Sequence, residues 1–174
     1  MARRTHDVKV LSAERRDAAL AIARHDRRLK PLLSGQHRAV LIEPNLHDPQ
    51  RPQAEHVVIG MVDYRNGRSV VALVDPSAKK VVGVEETLAH FQLSDAEKRT
   101  AETLAQKDKR VIRFLKKRKP NPLTRLYFPP AATGANPAHR HAIVFLRPNT
   151  SERRYAIVDL SDGDVIQVLT SLVH

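Results

Sequence analysis

The sequence predicts an α+β protein made of two tandem repeats, each an amphipathic helix followed by four antiparallel strands. Two similarities between distant segments and one recurring change of hydrophobic period carry that reading. Displaced by 82 residues, Leu11-Ser12 matches Leu93-Ser94, Arg16 matches Lys98, and Ala19 and Ala23 match Ala101 and Ala105. In the same register Asp26 and Arg28 match Asp108 and Arg110, Leu29 matches Val111, and Leu33 matches Leu115. Displaced by 84, the run 71–75 matches 155–159, Ser77 matches Ser161, and 81–84 matches 165–168. So small a drift in offset needs only a short loop insertion, and one supersecondary unit therefore occurs twice. The resulting boundaries are a tail over 1–10, a first repeat over 11–90 and a second over 91–174.

Each repeat opens with a helix. Ser12 and Ser94 are suited to cap it, because a serine hydroxyl accepts an amide hydrogen that the first turn leaves unbonded. Apolar residues at 19, 22, 23, 29 and 33, and at 101, 104, 105, 111, 112 and 115, recur at the spacing of one helical face. Asp26 and Asp108 fall on that apolar stripe, where an unpaired carboxylate is costly. We therefore expect a kink at each, with the aspartate capping a new short helix.

β-Rich runs follow at 38–42, 56–63, 69–74 and 80–85, and again at 123–128, 141–146, 154–160 and 164–169. Asn66-Gly67, Pro76, Pro148-Asn149 and Asp162-Gly163 punctuate them as turns. Connections this short join neighbouring antiparallel strands, and one amphipathic helix suffices to cover one face of such a meander. Asp48–Glu55 and Pro129–Pro137 are the longest loops and read as connectors.

Composition narrows the function. The chain of 174 residues is 41% hydrophobic, contains no Cys or Trp and has three Tyr and four Phe, so aliphatic packing rather than disulfides must hold it. The start carries Arg3-Arg4 without an apolar stretch behind it, and no segment approaches the roughly 18 apolar residues of a membrane span. We expect a soluble, cytoplasmic protein with no membrane partner. The net charge of +11 is localised: residues 1–38 carry ten Lys/Arg against four Asp/Glu, residues 98–125 eleven against two, and the remainder is acidic.

Leu41-Ile42-Glu43-Pro44 before a Pro-rich loop and a hairpin, followed by 69–86 (SVVALVDPSAKKVVGVEE), is similar to the second N-terminal domain of copper amine oxidases. Leu93-Ser94 through Arg118, with Glu97, Ala101, Ala105, Asp108-Lys109-Arg110-Val111 and Leu115–Arg118, resembles the helix that opens that family's third domain. The resemblance implies cystatin-like domains, each a helix on a curled four-stranded antiparallel sheet, and covers the chain from about Leu11 onward. It implies no oxidase activity. The family builds its quinone from a tyrosine in an Asn-Tyr-Asp/Glu setting, whereas Tyr64 lies between Asp63 and Arg65, Tyr127 between Leu126 and Phe128, and Tyr155 between Arg154 and Ala156.

His139-Arg140-His141 puts two imidazoles on one face of a strand, the edge of a metal site. With no third ligand close in sequence, the pair reads as solvent-exposed histidines and no metal or other cofactor is expected. Asp75 and Asp159 end equivalent strands and are expected to bond backbone amides two residues on. No phosphate loop, nucleophile elbow or paired-carboxylate pattern occurs. The strongest cue is the basic run Lys107, Lys109, Arg110, Arg113, Lys116, Lys117, Arg118 and Lys119, which surrounds Val111, Ile112, Phe114 and Leu115. Such a helix can neutralise phosphates, and it is also what a solvated helix end looks like.

The expectation is a non-catalytic accessory or interaction module that holds a protein, peptide or small molecule through sheet faces, strand edges or loop rims. The alternative is a nucleic-acid or polyanion binder working through Lys109, Arg110, Arg113, Lys116, Lys117, Arg118 and Lys119. A small enzyme with a pocket between the repeats ranks third, and exposed strand edges are compatible with a symmetric homodimer.

Overall fold

A computed structural model describes residues 11–30, 38–44, 56–64, 67–87, 90–116, 118–147 and 153–170. The expected turns at Asn66 and Pro148-Asn149, the loop 48–55, apolar Leu33 and basic Lys117 lie outside the described residues. The chain is α+β and divides into two compact units, one comprising 1–62 with 69–89 and the other 63–68 with 90–174.

In the first unit, helix α1 (Ala13–His25) precedes strands β1 (Arg38–Pro44), β2 (Val57–Val62), β3 (Ser69–Asp75) and β4 (Lys80–Thr87), which form one antiparallel sheet in chain order. Ser12 caps α1 by accepting the Arg15 amide at 3.3 Å. Ala19, Ala23 and Leu29 are buried together with Val57, Ile59 and Met61 of β2 and Val70, Ala72 and Val74 of β3. These strand residues alternate in sequence because successive side chains of a strand point to opposite faces, so one face of the sheet receives the helix. The two alanines keep the helix surface flat where it meets branched strand residues.

The second unit repeats the plan. Helix α2 (Asp95–Lys107) and the one-helix extension α3 (Lys109–Leu115) precede β5 (Leu123–Tyr127), β6 (His141–Leu146), β7 (Arg154–Asp159) and β8 (Asp164–Leu169), again one antiparallel sheet in chain order. Ala101, Ala105, Val111 and Leu115 are buried, as are Ala142, Val144 and Leu146 of β6 and Ala156 and Val158 of β7. The register of β3 with β4 shifts between Leu73 and Val74, and that of β7 with β8 shifts between Ile157 and Val158. The same irregularity at the same place is a second mark of the duplication.

The kink expected at the two aspartates is present, and its cause is a clamp. Asp108 ends α2 and caps α3, accepting the Arg110 amide at 2.7 Å. Arg110 then grips the same carboxylate through Nε and Nη2 at 3.0 and 2.8 Å, and its Nη2 donates to the carbonyl of Val165 on β8 at 2.7 Å. In the first unit Arg28 grips Asp26 at 3.0 and 2.8 Å and donates to the carbonyl of Val81 on β4 at 3.1 Å. The carboxylate is thus paired rather than buried bare.

One apolar position departs from expectation. Ile112 is 54% exposed, because the break at Asp108 resets the helical phase and leaves Val111 and Leu115 as the inward pair. The loop 129–137 is organised by a 3₁₀ turn over Ala131–Thr133, which ends at Gly134 with φ 70°.

Candidate functional site

Helix α3 presents the basic run. Its burial of Val111 and Leu115 turns Lys109, Ile112 and Arg113 to solvent, and Lys116 takes a left-handed conformation (φ 44°, ψ 48°) that stops the helix. Lys107, Arg118 and Lys119 are exposed as well. Among the described residues, none of Lys107, Lys109, Arg113, Lys116, Arg118 and Lys119 forms an ion pair. Arg110 stands apart from this set. Its hydrogen bond holds the Asp108 carboxyl below the usual carboxylate value, and Asp108 in turn raises Arg110. The fork that would bind a phosphate is therefore engaged in the clamp. Behind the basic face, Arg154 of β7 lies over the ring of Phe114, 5.1 Å from its centre.

A second constellation, missed in the sequence, is centred on Glu97 at the N-terminus of α2. Glu97 is fully buried. Its Oε2 accepts the Ser94 amide at 2.7 Å while Ser94 Oγ accepts the Glu97 amide at 3.2 Å, a capping box. Its Oε1 accepts Arg140 Nε at 2.5 Å and also the Tyr64 hydroxyl. Arg140 Nη2 further donates to the carbonyls of Phe91 and Gln92 at 3.0 and 3.2 Å. Burial pushes the Glu97 carboxyl up, but the hydrogen bond and charge of Arg140, with help from Tyr64 and the Ser94 amide, hold it below its ordinary value. The group is an ionised, fully satisfied structural pair. Its sequence signals are the Ser94-x-x-Glu97 spacing and a contrast between repeats: Arg15 stands 82 residues before Glu97, and Glu55 precedes His56 as Arg140 precedes His141, with the charges exchanged.

The histidines require a correction. His141 is 2% exposed and His139 largely buried, so neither is the exposed surface histidine expected from the sequence. The strand pairing that sets His141 opposite Asp159 also brings in carboxylates from 20 residues away. His139 Nδ1 lies 2.7 Å from Asp159 Oδ2 and 3.5 Å from Asp162 Oδ2, and His141 Nε2 lies 3.6 Å from Asp159 Oδ2. Asp159 does play the expected turn role, its Oδ1 accepting the Ser161 and Asp162 amides at 2.8 and 3.1 Å. Asp75 does likewise toward Ser77 and Ala78, both at 2.9 Å. Burial lowers the His141 pKa against the opposing charge of Asp159, so the ring is held neutral. Its Nε2 has no hydrogen-bond partner among the described residues, a situation that costs roughly 1–3 kcal/mol for a buried polar atom.

No protein-family model matches the chain, and no curated protein matches it. Among the described residues no helix is long and apolar enough to cross a membrane.

Proposed function

We propose that the chain is a non-catalytic binding module, built from a pair of domains like the N-terminal domains of copper amine oxidases, and that its ligand is a polyanion such as nucleic acid. The helix-on-meander plan, occurring twice, supports the family reading. One observation carries the ligand class: six cations on and around α3 face solvent and form no ion pair among the described residues, while Arg110, equally basic, is consumed by the fold. Clustered cations without an intramolecular partner neutralise phosphates and release their counterions.

Labelled duplex and single-stranded oligonucleotides, titrated with the full chain at about 50 and 200 mM salt, test this reading. Binding that weakens steeply with salt and is lost on replacing Lys116, Lys117, Arg118 and Lys119 with Ser supports it. Binding insensitive to both changes sinks it.

A second reading is a protein or peptide partner added at a strand edge. It is favoured by β4, which lies at the edge of its sheet and carries exposed Val82.

A further inference from the structure

We propose that His139, Asp159 and Asp162, with His141 as the inner donor, form a binding site for a divalent transition-metal ion of the zinc class that fastens the β7–β8 turn to the start of β6. One ligand atom from each of His139, Asp159 and Asp162 falls within 4.8 Å of the others. Bonds of about 2.0–2.1 Å in a four-coordinate site set ligand atoms about 3.3–3.4 Å apart. The separations of 3.5 Å from His139 to Asp162 and 3.6 Å from His141 to Asp159 are close to that spacing. The 2.7 Å contact of His139 with Asp159 is a hydrogen bond that an ion replaces by displacing its proton.

The carboxylate is aimed by its surroundings. Asp159 Oδ1 is held by two turn amides, so Oδ2, the atom that meets both His139 and His141, faces the imidazoles. The turn is itself tied down, with the Arg140 amide donating to Ser161 Oγ at 3.0 Å and the Leu160 amide to the Arg140 carbonyl at 2.8 Å. Supports of this kind orient ligands before the ion arrives. Independently of the acidic pair, His141 points a buried Nε2, which has no hydrogen-bond partner among the described residues, at the same Oδ2. Asp162 is 64% exposed and leaves an entry path. A mixed imidazole and carboxylate set suits zinc and its neighbours better than magnesium or calcium.

The first repeat serves as an internal control. It keeps His56 near Asp75, at 3.7 Å, but has Ala54 two residues before the histidine and Ala78 three after the aspartate, where the second repeat has His139 and Asp162. Only the second copy carries the complete set.

Zn(II) and Co(II) are the probes, added to the metal-free full chain. We expect one equivalent of each to bind, a visible Co(II) spectrum of a low-coordinate nitrogen and oxygen site, and a melting temperature that rises with free Zn(II). The double substitution His139→Ala with Asp162→Ala, which reproduces the first repeat, should weaken binding by about 100-fold and abolish the spectrum. Should that variant fold poorly, Asp162→Ala alone, at an exposed position, should weaken binding by about tenfold. Absence of stoichiometric uptake overturns the proposal. Uptake that persists unchanged in the folded variants also overturns it, because the chain has nine histidines to bind metal adventitiously.

Discussion

Glu97 shows what a single residue contributes when every lone pair is accounted for. Removing Arg140, as in Arg140→Met, leaves an ionised carboxylate inside the second unit with only Tyr64 and the Ser94 amide to hold it. We expect a loss of about 3–5 kcal/mol in urea unfolding. The pH dependence follows from the sign of the shift. The folded carboxyl titrates below the ordinary glutamate range, so its contribution is complete above that range and disappears as pH falls through the lower folded value. Stability should therefore hold from about pH 7 to about pH 5 and decline below, with a shallower decline in Glu97→Gln. The capping box was legible in Ser94-x-x-Glu97, but Arg140 lies 43 residues away and only the strand order reveals it. Gly67 is a second residue whose identity is dictated by place: at φ 66°, a Cβ there would stand 2.7 Å from the Ala138 carbonyl oxygen. Gly67→Ala should destabilise by about 1–3 kcal/mol, measured by thermal melting.

The element that separates structure from binding is α3. Asp108→Ala removes its cap and frees Arg110 from its carboxylate, and should lower stability by about 1–2 kcal/mol. Arg110→Ala should likewise lower stability while leaving the salt dependence of oligonucleotide binding unchanged. Lys109→Ser with Arg113→Ser should do the opposite, flattening the salt dependence at unchanged stability. The elements were largely readable beforehand: β6 and β8 span the expected 141–146 and 164–169, and the break before α3 was implied by a carboxylate on an apolar stripe. Ile112 was misread because periodicity counted across the break assigns it to the inner face, whereas the clamp rotates the short helix. The histidine cluster was hidden for a different reason, since strand register rather than local spacing gathers Asp159 and Asp162 around His139.

At the scale of the whole molecule, a charge of +11 concentrated in segments makes affinity for polyanions a matter of counterions. Four to six phosphate contacts from the exposed cations imply an affinity for duplex DNA that drops by about 10²–10³-fold between about 50 and 200 mM salt, readable by fluorescence anisotropy. The duplication poses a problem of its own during folding, because two similar helices and two similar sheets offer the chain a choice of partners. Arg15 occupies in α1 the place that Glu97 occupies in α2, each with its amide on the capping serine. Were α1 to settle on the second sheet, Arg15 would meet Arg140, a cation facing a cation in a site too dry to screen them. The buried ion pair would then act as a key that fits one lock, and an exchange of helices between the twin repeats would bring like charges together at its centre.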